Sequence, residues 1–202
     1  GNFSNYQHNK NDTNSLSSNR INTICENSDG KLWIATYFGL NIFDPGSEKF
    51  QRIIPSKHFQ IKKADNHINS ILAENETIWI GTNNLGLIKY NQHTKKHELV
   101  NSWLKKTQPL PSQVFDIKKD KNGYLWFGSN AGLVKLNTES YEMQFYQHNP
   151  DDSNSLIYQN LNCLFTDGEK IWIGTANGLD KFIPEKELFI HYQHDACNQY
   201  SL

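Results

Sequence analysis

The sequence predicts an all-β chain, a β-propeller of four four-stranded antiparallel blades, and three observations predict it. A tryptophan recurs in one phase at Trp33, Trp79, Trp126 and Trp172, with separations of 46, 47 and 46 residues. The text around it repeats as KLWIAT at 31–36, TIWIGT at 77–82, YLWFGS at 124–129 and KIWIGT at 170–175. Each copy is followed by a Gly-Leu pair, at Gly39-Leu40, Gly86-Leu87, Gly132-Leu133 and Gly178-Leu179. A period of this size suits a propeller blade or a helical repeat. The pattern decides between them. Apolar stretches rich in Ile, Leu, Trp, Tyr and Phe are short and are broken by turn residues every ~8–12 positions. No window holds a sustained 3.6-residue stripe.

Four strands are read in each unit. Strand A is 20–25, 67–72, 113–118 and 160–165, and each copy runs into a tight turn. Asp-Gly or Asn-Gly in three of those turns supplies the positive φ that short hairpins need. Strand B is the tryptophan phrase. The turn after it holds Tyr37-Phe38, Asn83-Asn84-Leu85, Asn130-Ala131 or Ala176-Asn177. Strand C starts at the Gly-Leu pair, and strand D is the outer one, at 49–54, 97–102, 142–147 and 188–193. The chain divides accordingly. An outer strand with its connector occupies 1–18, the four blades occupy 19–54, 55–101, 102–147 and 148–194, and a further connector occupies 195–202.

Packing gives the repeat its reason. One twisted sheet cannot bury both of its faces, whereas stacked sheets bury them against each other. The four tryptophans are therefore the expected plugs of the blade core, each removing about 150–250 Å² from water. The glycine after the tryptophan allows close approach, with Ala35 replacing it in blade one, and the glycine before leucine takes an unusual φ/ψ. Cys25 and Cys163 fall in strand A, where they read as small core hydrophobes. The three cysteines, with Cys197, are odd in number and contain no CxxC, so they imply neither a disulfide framework nor a zinc site.

A second phrase sets the frame. Tyr-Gln-His occurs at 6–8, 146–148 and 192–194 and is followed by HNKNDTNSL, HNPDDSNSL and HDACNQYSL. The chain thus opens on an outer strand (3–8), passes through four blades and stops before a next strand A. The expected architecture is an open arc excerpted from a larger, seven-bladed ring. Its end faces would call for covering, by the remaining blades or by a second chain as a homodimer.

Net charge is −1, the isoelectric point is about 6.8 and mean hydropathy is −0.70. No basic patch suggests nucleic acid. No apolar run reaches the ~18 residues that would suggest a membrane span. No leader is recognisable, but the chain opens on Gly1 and not Met, which leaves the compartment open.

The phrase D-x-x-G-x-L-W-I-G-T-x-x-G-L, present as 29–36 and 120–129 with close versions in the other units, resembles the two-component regulator propeller repeat. The Y-x-H-x-x-x-D-x-x-S-L connector is similar to that family too. Blade two departs most, lacking Asp-Gly at 74–77 and lacking the connector phrase. The resemblance implies a periplasmic sensor segment, followed in the parent protein by a smaller β-domain, a membrane helix and a histidine kinase. Many such receptors are hybrid sensors of gut bacteria that detect oligosaccharides. An oligosaccharide is therefore the implied ligand, with no cofactor.

Propellers bind ligands mostly at one mouth of the channel. Arg20, His67, Gln113 and Asn160 each precede strand A at spacings of 47, 46 and 47, and they differ in chemistry while their apolar successors do not. Such variation on a regular scaffold suits a grafted binding site. Tyr37 and Phe38, with Asn83, Asn84, Asn130 and Asn177, occupy turns at the same face, and Trp103 and Tyr158 lie in connectors. Their aromatic faces suit sugar stacking or a protein interface. His191 and His194 form HxxH, but zinc needs three or four converging ligands. Antibiotic-cleaving propeller lyases carry a similar Leu-Trp phrase. A lyase or glycosidase needs an acid and a base in one pocket, and no carboxylate is equivalent to His67. Asp116 lies deeper in its strand, and Asp12, Asp151 and Asp152 lie in connectors. The non-catalytic alternative to ligand sensing is an interaction or dimerisation scaffold.

Overall fold

In the computed structural model, which describes residues 3–55, 66–103, 111–199 and 201–202, sixteen strands form four four-stranded antiparallel sheets among the described residues. Each sheet is a meander in chain order. Blade one holds β1 Ile21–Glu26, β2 Leu32–Thr36, β3 Gly39–Asp44 and β4 Lys49–Ile53. Blade two holds β5 Ile68–Glu74, β6 Thr77–Thr82, β7 Leu87–Asn91 and β8 His97–Leu99, closing on a 3-10 turn at Val100–Trp103. Blade three holds β9 Val114–Lys119, β10 Leu125–Ser129, β11 Gly132–Leu136 and β12 Met143–Tyr146. Blade four holds β13 Leu161–Thr166, β14 Ile171–Thr175, β15 Gly178–Ile183 and β16 Leu188–Tyr192. The chain forms two compact units, Gly1–Ser102 and Trp103–Leu202.

In the first unit, Trp33, Ala35, Leu40 and Ile53 of blade one meet Ile68, Ile71, Ile78, Ile80, Ile88 and Tyr90 of blade two. The Trp33 ring meets Tyr90 edge-on at 5.8 Å. In the second, Trp126 and Leu133 of blade three meet Leu161, Leu164, Ile171, Ile173, Phe182 and Phe189 of blade four. Trp126 and Phe182 repeat the edge-on contact at 5.7 Å. The Gly-Leu pair has a backbone reason. Gly39 (φ 122°) and Gly132 (φ 94°) lie where a side chain is strained, and a Cβ on Gly132 would overlap the Tyr146 carbonyl oxygen of the outer strand.

Three sequence expectations need correction. Residues 3–7 form no strand, because a strand needs a hydrogen-bonding neighbour. Instead Tyr6 packs at 4.9 Å on Phe43 and 5.6 Å on Phe50. Trp172 is only half-buried, and Phe165, its partner across the β13–β14 ladder, is 61 % exposed. That face of blade four has no sheet over it among the described residues. Cys163 is exposed rather than core, on the same strand. Cys25 is half-buried, and burial raises its thiol pKa.

Strand A carries a feature the sequence did not suggest. Its ladder with strand B slips once in every sheet, at Ile21/Thr23, Ile68/Ser70, opposite Gly128/Ser129, and at Leu161/Cys163. Such bulges re-aim side chains. Asn22, skipped in blade one, donates to the Ile68 carbonyl of blade two at 2.6 Å. In the second unit, Asp116 accepts the Leu164 amide of blade four at 2.8 Å.

The Tyr-Gln-His phrase encodes a self-closed connector, built three times. His8, His148 and His194 each hold, through Nδ1, the carbonyl eight residues on: Leu16 at 2.7 Å, Leu156 at 2.6 Å and Leu202 at 2.6 Å. The serines Ser15, Ser155 and Ser201 accept the amides of Asn9, Asn149 and Asp195 at 2.8, 2.9 and 2.8 Å. Asp12 and Asp152 accept the amides of Asn14 and Asn154, each at 2.8 Å.

The sheet that follows clamps its connector with a polar pair on strands C and D. In blade one, buried Asn41 accepts the Ser17 amide at 2.8 Å. Its neighbour Arg52 donates to the carbonyls of Asn9, Asp12, Ser15 and Leu16. In blade four, fully buried Asp180 accepts the Ile157 amide at 2.9 Å and pairs with His191 Nδ1 at 2.6 Å, while His191 Nε2 meets the Ser153 carbonyl at 2.9 Å. Burial pulls the His191 pKa down. The Asp180 carboxylate and the Ser153 carbonyl raise it by more, so it stands above its ordinary 6.5. Protonated imidazole donates from both nitrogens and so serves both partners.

Two outcomes follow for stability. Trp126→Ala should destabilise the second unit by about 3–5 kcal/mol in urea titrations. Trp172→Ala, at a half-open face, should cost clearly less. A raised folded pKa stabilises fully below the unfolded value and loses that contribution as pH rises through the folded value. Wild type should therefore lose urea resistance relative to His191→Gln as pH is raised from 5.5 to 8. Parallel pH curves for the two proteins would contradict the His191 clamp.

Candidate functional site

The turn between strands B and C is fixed by one hydroxyl per sheet, which leaves the next positions free to vary. Thr36 donates to the Gly39 carbonyl at 2.9 Å and accepts the Phe38 amide at 3.2 Å. Thr82, Ser129 and Thr175 donate likewise to Gly86, Gly132 and Gly178. The residue after this hydroxyl bonds back to the residue before strand A. Tyr37 donates to the Arg20 carbonyl at 3.1 Å, Asn83 to His67 at 3.0 Å and Asn130 to Gln113 at 3.1 Å. Two sequence-distant candidate positions thus share one edge of each of these sheets.

In the first unit the side chains join into a row across both sheets. The Arg20 guanidinium stands 5.0 Å from the Tyr37 ring centre. Tyr37 lies 4.5 Å from the His67 ring at a tilt of 37°, and Phe38 stands edge-on to Tyr37 at 5.1 Å. Arg20 is exposed, Tyr37 and His67 are half-buried, and Phe38 is 56 % exposed. A guanidinium held over an aromatic face keeps its planar fork of donors available for hydroxyl or carboxylate oxygens. Phe38 offers an apolar ring beside it. Asn83 is half-buried and Asn84 exposed at the same end of blade two.

In the second unit the corresponding turn positions carry asparagine or alanine, Asn130-Ala131 and Ala176-Asn177. Asn130 spends its side chain locally, accepting the Gln113 amide and donating to Ser112, each at 3.1 Å. Asn160, Asn177 and Tyr158 are exposed on blade four, and the Asn177 carbonyl accepts from Gln193 at 3.3 Å. Trp103 ends the 3-10 turn of blade two, and its side chain lies outside the described residues. The contact between Arg20, Tyr37 and His67 was not legible in the sequence, because it depends on how two sheets pack.

The carboxylates considered for catalysis have structural duties. Asp12 and Asp152 cap connector turns, and Asp116 takes Lys118 at 2.8 Å besides the Leu164 amide. Asp151 sits exposed in its connector. His191 and His194 each engage a local carbonyl or carboxylate, and no group of three metal-binding side chains gathers among the described residues. No helix among them is long and apolar enough to cross a membrane.

The chain has clear relatives. A family profile described as two component regulator propeller matches residues 15–38 and 109–131. A curated protein from Formosa agariphila, named histidine kinase P4, is 31 % identical over 175 residues, which is 82 % of this chain and 12 % of that protein. The extracellular domain of a putative hybrid two component system from B. thetaiotaomicron superposes with a TM-score of 0.74 at 22 % identity, over 98 % of this chain and 25 % of that one. Virginiamycin B lyase from Staphylococcus aureus superposes with a TM-score of 0.62 at 12 % identity, over 88 % of this chain and 56 % of the lyase. The last two show a shared propeller fold, and this chain spans only a small part of the curated relative. The repeats that build its four sheets place it among the two-component regulator propellers.

Proposed function

We propose that this chain is a non-catalytic, ligand-recognising segment of the periplasmic part of a two-component receptor, and that its cue is an oligosaccharide. The observation that carries the reading is the row of Arg20, Tyr37 and His67 with exposed Phe38 beside it. Sugars are bound by apolar ring faces combined with planar and amide hydrogen-bond donors. The row supplies both, on turns whose backbone is held by Thr36. Similarity to a histidine kinase and to the extracellular domain of a hybrid system supports the receptor part. Under this reading the remaining blades, a downstream β-domain and the kinase belong to the parent protein. The structural duties of Asp12, Asp116 and Asp152 argue against a lyase or glycosidase.

A second reading has its own support. Phe165, half-buried Trp172 and Tyr192 share the open face of blade four, which suits an interaction or dimerisation scaffold.

A thermal-shift screen against an oligosaccharide panel tests both, using this chain beside the intact extracytoplasmic region. A ligand at 100 times its Kd stabilises by about 2.7 kcal/mol. One glycan should raise the Tm of this chain, and Arg20→Ala or Tyr37→Ala should abolish the rise. A glycan that shifts only the intact region would place the site elsewhere. If nothing shifts either sample, the scaffold reading takes over.

A further inference from the structure

The row at the turns between strands B and C of the first unit holds one fixed charge, and no described carboxylate beside it neutralises that charge. Arg20 donates from its backbone to Ser18 at 3.1 Å, while its guanidinium makes neither a hydrogen bond nor an ion pair among the described residues. Carboxylates are present in both sheets, but at the far ends of their strands. Those from Glu26 to Glu48, and those at Glu74 and Glu76, gather around the β1–β2, β3–β4 and β5–β6 turns. A strand rises about 3.3 Å per residue, so Glu26, at the end of β1, stands roughly 20 Å from Arg20 along the strand. Exposed charges at physiological salt are screened over about 8 Å. Of the other two described carboxylates of this unit, Asp12 caps its connector turn and Glu98 pairs with Lys96 at 3.0 Å.

The guanidinium is also held ready. The Tyr37 amide donates to the carbonyl of Arg20, whose side chain stands over the Tyr37 ring at 5.0 Å, so the arginine and its platform are tied through backbone and side chain alike. The same ring lies 4.5 Å from that of His67. A planar fork ordered on an aromatic ring loses less freedom on meeting a ligand than a lysine ammonium would. No other sheet carries arginine or lysine at either position. The counterparts are His67, Gln113 and Asn160 before strand A, and Asn83, Asn130 and Ala176 after strand B. Phe38, more than half exposed, stands edge-on to Tyr37 at 5.1 Å and adds an apolar ring to the same turn.

We propose that the row selects a uronic acid, a sugar whose ring carries a carboxylate. The two carboxylate oxygens are coplanar and accept side by side from the coplanar donors of Arg20, a pairing stronger than one between neutral groups. Phe38 meets the apolar face of the sugar ring. The inference rests on the reading of this row as a saccharide site and deepens it by dividing the labour. Phe38 holds a sugar whatever its charge, and Arg20 decides which sugars are preferred.

The test is an NMR titration of the ¹⁵N-labelled chain, following the Arg20 Nε–H and the Tyr37 and Phe38 amides. The probes are the methyl glycosides of glucuronate, galacturonate, mannuronate and iduronate, the methyl ester of each acid, and glucose 6-sulfate. At least one acid should move all three resonances saturably and bind about tenfold or more tighter than its own ester, which keeps the sugar and removes the charge. Arg20→Gln should erase that preference and leave the affinity for the ester unchanged, whereas Phe38→Ala should weaken acid and ester by the same factor. An acid no tighter than its ester, a preference that survives Arg20→Gln, or glucose 6-sulfate bound tighter than every acid would overturn the uronate assignment and leave the saccharide site standing. Resonances unmoved by every probe would overturn it too, and the oligosaccharide screen then decides the saccharide reading on its own.

Discussion

The constraint on which the rest of this structure depends is the burial of the strand-B tryptophan between successive sheets. Trp33 and Trp126 each meet an aromatic ring of the next sheet edge-on, Tyr90 in one case and Phe182 in the other. Around such a plug, strand A must be largely small or aliphatic, and strand C must begin in a conformation open to glycine. Trp172 shows the converse. With no sheet over it among the described residues, it stays half-open, and Phe165 beside it lies in solvent.

The repeat, its period and the order of its strands were legible in the sequence because burial on both faces forces the same residue types into the same phase, whereas strand A starts one residue later than expected in each sheet and strand D of blade two ends at Leu99. The meaning of Tyr-Gln-His was not. It was visible as a phrase, yet its role as a connector closed by a histidine and a serine emerges only from hydrogen bonds across eight residues. The clamp behind it was missed because Asn41, Arg52 and His191 look like ordinary surface residues. A signal was available. The phrase precedes blades one and four, where the clamping pair is Asn41–Arg52 or Asp180–His191. At the same ladder positions blades two and three carry Ile88–Leu99 and Val134–Phe145, and they lack the phrase. Strand periodicity also misled on Cys163, since alternation alone does not say whether a face is covered.

The chemistry that this scaffold presents changes where regularity is broken. The turn hydroxyls close three-residue spans in blades one, three and four, so the exchange of asparagine or alanine for Tyr37 and Phe38 changes chemistry without changing the frame. At the other end of the first unit, Ile42 stands where the other blades have lysine. Both departures are in blade one. Single residues read alone would not have marked either, and comparison between quasi-equivalent positions does so.

The clamp also bears on how such chains can be recombined. Asp180 is fully buried, and its two oxygens are satisfied by His191 and by an amide belonging to the connector upstream of its own sheet. A crossover between connector and sheet would deliver that carboxylate into a neighbourhood lacking one of its donors, and a buried charge stripped of a partner is heavily penalised. The heritable module is therefore the connector together with the sheet that follows it, and chimaeras joined just before the histidine of Tyr-Gln-His preserve what those joined at strand A would lose.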